Sequence, residues 1–87
     1  MEDGNVNMSI SPVVKQDGQK KVYVLFKTDN DIAPKEAEIL MPDAKVVRNV
    51  GFSEDEQHQL MAYCVSQKKL IFERASKISV MDAFLGQ

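Results

Sequence analysis

Ser53-Glu54-Asp55-Glu56 divides this chain in two. A serine followed three residues later by a glutamate is a capping box, in which each side chain satisfies a main-chain donor of the first helical turn. The three carboxylates in that turn also complement the positive end of a helix dipole. Beyond them, Leu60, Met61, Cys64 and Val65 make one apolar helical stripe. Lys68 and Lys69 suit a helix C-terminus, yet Leu70, Ile71, Phe72, Ala75 and Ile78 continue the helical period. One helix over 54–77, or two parting near Ser66-Gln67, would both satisfy this pattern. A straight rod of that span runs about 36 Å, which overhangs a small sheet, so the break is the expectation. Ser79 with Asp82 repeats the capping spacing and predicts a short terminal helical turn through Val80, Met81, Ala83, Phe84 and Leu85, ended by Gly86.

Upstream of Ser53 the apolar period changes to two. Val6, Met8 and Ile10 alternate with Asn7, Ser9 and Ser11, the pattern of a half-buried strand. Lys21-Val22-Tyr23-Val24-Leu25-Phe26-Lys27 is rich in β-branched and aromatic residues. Asp17-Gly18 between them tolerates the positive φ angles of a two-residue turn, so 6–15 and 20–28 form a hairpin. A turn closed at Asp17-Gly18 sets Val13 opposite Val22 but leaves Ser11 and Ser9 opposite Val24 and Phe26. One extra residue in the first strand restores Ile10 to Val24 and Met8 to Phe26. Pro12 cannot donate to a ladder, so a bulge or break is expected at Pro12-Val13, on an edge strand.

Thr28 to Pro34 reads as a loop, and Lys35 to Met41 as a strand with Ala37, Ile39 and Met41 on one face. Pro42-Asp43 turns the chain, and Lys45 to Val50 is a short further strand. Strands followed by helices without alternation give an α+β fold, a small antiparallel sheet covered on one face by two C-terminal helices. Val22, Val24, Phe26, Ala37, Ile39 and Met41 are expected to meet Leu60, Met61, Cys64, Val65, Ile71, Phe72 and Ile78 in the core. So small a core stabilises the domain narrowly once chain entropy is subtracted, which favours association with a partner or a second copy.

With 87 residues, 44% of them hydrophobic and 28% charged, the chain has the make-up of one folded domain. Residues 1–5 are expected to be disordered and 6–87 to form that domain, with the sheet over 6–50 and the helical part over 53–87. Eleven Lys and Arg against thirteen Asp and Glu give a net charge of -2, which disfavours indiscriminate polyanion binding. The single Cys excludes an internal disulfide framework, and one Cys with one His falls short of a four-ligand zinc site. No apolar run approaches the ~18 residues of a membrane span, and Met1-Glu2-Asp3-Gly4-Asn5 lacks the regions of a signal peptide. A soluble cytoplasmic protein without membrane contact or cofactor is the expectation.

The chemical constellations are sparse. Gly51-Phe52-Ser53 evokes a nucleophile elbow, but Asp55 stands where the second glycine belongs, and His58 shares Ser53's helix and cannot reach back to it. Asp29, Asn30 and Asp31 open like a calcium loop, but Pro34 and Leu40 occupy the positions of its turn glycine and bidentate glutamate. Glu54 and His58 are spaced to pair on one helix face. Cys64 on the apolar stripe reads as a core residue. Lys68, Lys69, Arg74 and Lys77 form a basic cluster that a solvated helix face explains, with nucleic-acid contact as the alternative. Val80, Met81, Phe84 and Leu85 either cap the core or dock on another chain, and the face around Tyr23 and Leu25 would extend such a surface.

Ala37-Glu38-Ile39-Leu40-Met41 followed by Asn49-Val50-Gly51-Phe52-Ser53-Glu54-Asp55-Glu56 resembles the prokaryotic domain-of-unknown-function family numbered four-one-six-zero, over residues 20–78. Its members share an A-x-I-x-L strand and an N-x-G-F-S-x-x-E segment. The family's H-x-H strand motif is replaced here by Lys21 and Tyr23, and its leucine after the glutamate by Gln57. The resemblance implies a bacterial protein near toxin–antitoxin or mobile-element genes, with no established activity. The leading expectation is a non-enzymatic module that binds another protein or itself. The alternatives are a mobile-element or toxin–antitoxin regulator touching nucleic acid through the basic cluster, or a phage-type inhibitor presenting Glu54, Asp55 and Glu56 as a phosphate mimic.

Overall fold

The computed structural model describes residues 6–28 and 32–85, with side chains through Ile78. The stretch 1–5, expected to be disordered, and the acidic Asp29 to Asp31 lie outside the described residues. Five strands are followed by two helices: β1 Val6–Ile10, β2 Val14–Gln16, β3 Gln19–Thr28, β4 Glu36–Met41, β5 Lys45–Val50, α1 Glu54–Ser66 and α2 Lys68–Leu85. The antiparallel sheet runs β1-β3-β4-β5, with β2 continuing β1's side of β3. The α+β architecture read from the sequence is the architecture found.

The hairpin closes as its residues dictate. Asp17 and Gly18 take φ of 52° and 77°, the double positive φ of a type I′ turn. Lys15 pairs with Lys20 and Val14 with Lys21 next to the turn, whereas Ile10 pairs with Val24 and Met8 with Phe26 further along. Ser11, Pro12 and Val13 thus face only Val22 and Tyr23, which is the single extra residue expected at the proline. Ser11 repairs the break. Its N–H donates to the Tyr23 carbonyl at 2.9 Å, and its hydroxyl accepts from the Tyr23 N–H at 2.9 Å. A second irregularity was not foreseen: β4 pairs Glu38 with Arg48 but Ile39 with Val46, leaving Val47 as an unopposed residue of β5.

Alternation sorts the two faces of the sheet. Val22, Val24, Phe26, Ile39 and Met41 are buried with Cys64, Ile71 and Ala75 beneath the helices. Met8, Ile10, Val13, Leu60, Met61 and Phe72 pack around this centre. Ala44, at φ 55° in the β4–β5 turn, adds its methyl to the core. Phe26 meets Tyr63 of α1 edge to face, with ring centroids 6.4 Å apart.

The helices correct the sequence reading in three ways. Val65 is 59% exposed, because the buried stripe of α1 centres on Cys64 and Val65 sits about 100° round the axis from it. Phe52, which no helical period could reveal, is buried just ahead of the cap. The expected break is present as a kink at Gln67, which takes φ -107° and ψ 16°, and Ser66 Oγ donates back to Tyr63 O at 2.8 Å. Main-chain bonds from Gln67 N to Tyr63 O and from Ile71 N to Gln67 O bridge the kink. The separate terminal turn does not exist: α2 runs unbroken to Leu85, and Ser79 is tolerated inside it.

The burial pattern predicts that Ile39→Ala, at a site with 0% exposure, lowers unfolding free energy by about 2–5 kcal/mol. Val65→Ala is expected to change it by no more than about 0.5 kcal/mol. Urea titration followed by circular dichroism measures both.

Candidate interaction surface

The segment that carries the family likeness turns out to be a joint. Gly51 reverses the chain at φ 93°, and a Cβ there would lie 3.0 Å from Lys35 Cγ. Asn49 brackets the turn: its Nδ2 donates to Phe52 O at 3.0 Å and its Oδ1 accepts from Phe52 N at 3.2 Å. Gln57 Nε2 donates to the same carbonyl at 3.2 Å. Ser53 Oγ accepts from Glu56 N, and Glu56 Oε1 accepts from Ser53 N at 2.9 Å, completing the capping box. Lys35 then ties β4's start to this cap, its Nζ 3.1 Å from Glu56 Oε2 and 5.7 Å from the centre of the Phe52 ring. The polar side chains of Asn49, Ser53 and Glu56 are thus all engaged in the joint that starts α1.

The reactive residue types are likewise engaged or set apart. Ser53 is committed as a cap, and His58 is exposed on α1. Cys64 is wholly buried, and burial pushes its thiol up to about 11, far from the thiolate that a nucleophile needs. Among the described residues, no group of three or more His, Cys, Asp or Glu side chains is placed to hold a metal ion. Of the three carboxylates considered as a phosphate mimic, Glu56 is engaged by Ser53 and Lys35, leaving Glu54 and Asp55 exposed.

The face of the sheet turned away from the helices carries side chains that the core does not use. Lys21, Tyr23, Leu25 and Lys27 of β3 point there, as do Glu36, Glu38 and Leu40 of β4, by the alternation that buries their neighbours. Register aligns Tyr23 with Leu40 and Lys45, then Leu25 with Glu38 and Arg48, then Lys27 with Glu36 and Val50. An apolar centre of Tyr23, Leu25 and Leu40 is thus framed by charge. Glu36 accepts from Arg48 at 2.8 Å and lies 3.9 Å from Lys27 at one end, while Lys21 reaches Asp43 at 3.5 Å at the other. The Tyr23 hydroxyl accepts from Gln16 Nε2 at 2.9 Å, which fixes the ring. Exposed ion pairs of this kind contribute only about 0–1 kcal/mol each, so they shape the face more than they hold it. Leu40 is not marked by the apolar period of its strand; its one signal in the sequence is that it is the large apolar residue alternating with Glu36 and Glu38.

The remaining site residues divide. Val80, Met81, Phe84 and Leu85 belong to the distal half of α2, in the helical layer, and their side chains lie outside the described residues. Lys68, Lys69 and Lys77 line a shallow groove on α2 with Phe72, Glu73 and Ser76. Arg74 does not line it, and Glu73 stands between Lys69 and Lys77.

No family model matches the chain, and no curated protein or solved structure matches it. Among the described residues, no helix is long and apolar enough to cross a membrane.

The joint has a pH signature. Hydrogen bonding to Ser53 and then the Lys35 ammonium hold Glu56's carboxyl below its ordinary value of 4.5. The folded state therefore favours the ionised form, and its contribution is full above that value and lost as pH falls below it. Wild-type stability is expected to drop more steeply than that of Glu56→Gln below about pH 4.5, with the two curves running parallel above pH 6. Thermal melts across that range measure the difference. Gly51→Ala, which forces a Cβ into Lys35, is expected to cost about 1–3 kcal/mol at any pH.

Proposed function

We propose that this chain is a non-catalytic protein-binding module of the bacterial cytoplasm, and that it binds through the uncovered sheet face centred on Tyr23, Leu25 and Leu40. The observation that carries the reading is the composition of that face. Three large apolar side chains, each half-buried, lie together on the face opposite α1 and α2, ringed by Lys21, Lys27, Glu36, Glu38, Arg48 and Lys45. An apolar centre with a charged rim is the usual anatomy of a protein interface. An aromatic residue held by a hydrogen bond, as Tyr23 is by Gln16, loses little freedom on docking. The likeness to the family numbered four-one-six-zero supplies no chemistry that competes with this reading, since its shared segment serves here as the joint before α1.

A nucleic-acid reading draws support from the groove of Lys68, Lys69 and Lys77. The intervening Glu73 and the net charge of -2 weigh against it.

A photoreactive phenylalanine analogue placed at Tyr23 or at Lys69 in living cells separates the two. Discrete protein adducts from position 23, and few from 69, are the expected outcome. Adducts confined to position 69, or nucleic acid among the products, would contradict the proposal.

A further inference from the structure

The two edges of the sheet are unlike. The β5 edge carries Lys45 and Arg48 and is distorted by the extra residue Val47. Bulges and cations are the devices by which natural sheets prevent unwanted strand pairing. Two β5 edges brought together would also set cation against cation. Within Val6–Ile10 the opposite edge has neither device; its extra residue, Pro12 and Lys15 come only further along. Val6-Asn7-Met8-Ser9-Ile10 contains no charge and no proline, and it pairs with β3 without interruption until Pro12.

The main-chain groups on that edge can be assigned. Ser11 N–H donates to Tyr23 O, in the same register that pairs Ile10 with Val24. Hydrogen-bonded and non-bonded positions alternate in an antiparallel pair, so Asn7 and Ser9 bond inward to β3. Val6, Met8 and Ile10 turn their N–H and C=O groups outward. Among the described residues, none of the main-chain bonds made outside the ladders reaches them.

We infer that this chain forms a two-fold dimer in which β1 pairs antiparallel with β1 of a second copy, centred on Met8, to give one continuous sheet. The occupant is a second copy because the strand is complementary to itself in every respect that the pairing requires. A two-fold axis at Met8 sets Met8 opposite Met8, and Val6 opposite Ile10 of the second copy. These are the outward-bonding positions, so each of the three pairs exchanges two main-chain hydrogen bonds. Their side chains all lie on the core face, which extends the apolar layer across the junction. Asn7 falls opposite Ser9 of the second copy on the other face, with no charge confronting its like.

The core face at this edge is also incomplete. Val6 is 50% exposed, and a cleft of about 300 Å³ opens between β1 and α1, lined by Val6, Met8, Phe26, Gln59, Leu60 and Tyr63. Pairing would lay Ile10 of the second copy beside Val6 at that cleft. Pro12 and the break after Ser11 end the pairing, which keeps it short and closed between two copies. The inference does not depend on what binds the uncovered sheet face. It joins two such faces into one platform.

Amide exchange by NMR at two protein concentrations, with sedimentation at both, tests the pairing. At about 1 mM the dimer is expected, with Met8 and Ile10 amides exchanging at least about tenfold more slowly than in the dilute monomer. Asn7 and Ser9 amides are expected to be protected at both concentrations. Met8→Pro deletes one outward donor and leaves the inward ladder in place, so it is expected to remain monomeric with Asn7 and Ser9 still protected. Leu25→Glu, on the other face, is expected to dimerise as the wild type does. A strict monomer at about 1 mM, or a dimer whose Met8 and Ile10 amides exchange equally fast at both concentrations, would overturn the inference. So would a dimer that Leu25→Glu abolishes, which would place the contact on the sheet face instead. Should Met8→Pro fail to fold, the exchange pattern of the wild type decides.

Discussion

One layer of helix has to serve a sheet with two faces, and every other feature of this molecule adjusts to that shortage. Alternation along β3 and β4 sends Val22, Val24, Phe26, Ala37, Ile39 and Met41 toward α1 and α2, where burial is complete or nearly so. The residues between them are left to hold the opposite face with what the sheet itself supplies. Lys27, Glu36 and Arg48 neutralise one another there, and Tyr23 is steadied by Gln16. The joint at Asn49 to Glu56 decides which face receives the helices. Lys35 anchors β4 to the cap of α1, so the helix leaves the sheet edge already directed over Ile39 and Met41.

Much of this was legible because the sequence contains local conflicts with only one physical resolution. Serines opposite Val24 and Phe26 made an unbroken first strand untenable, and Pro12 marked where the extra residue had to go. Ser53 and Glu56 announced the start of α1 through a hydrogen-bond pattern that is complete within four residues. What escaped depended on contacts distant in sequence. The burial of Phe52 follows from Gly51, Asn49 and Lys35 acting together, and Val47's place outside the β4 register has no mark in composition. Val65 looked like a core residue because an apolar stripe shows its width but not its centre. Only packing against Phe26 and Ile39 settles that Cys64 is the middle. The spacing of Ser79 and Asp82 imitated a cap, yet serine is tolerated inside a helix and α2 continues through it.

The candidate site was half legible for a related reason. Tyr23 and Leu25 are conspicuous as large residues between buried valines, whereas Leu40 acquires meaning only when register sets it beside Tyr23. The basic cluster shows the reverse. Of four cations close together in sequence, Lys68, Lys69 and Lys77 line one groove with Glu73 set among them, and Arg74 does not line it. Groups suited to reaction chemistry are spread in the same way, with Ser53 committed to a cap, His58 in solvent and Cys64 in the core.

Whether the face bearing Tyr23, Leu25 and Leu40 stands open in the single chain can be measured with a soluble paramagnetic agent added to a dilute, monomeric sample. Relaxation is expected to rise sharply for the side chains of Tyr23, Leu25 and Leu40, and to stay low for Val22, Val24, Ile39 and Met41. Equal protection of both sets would mean that another part of the chain covers that face, and the proposed binding surface would not exist.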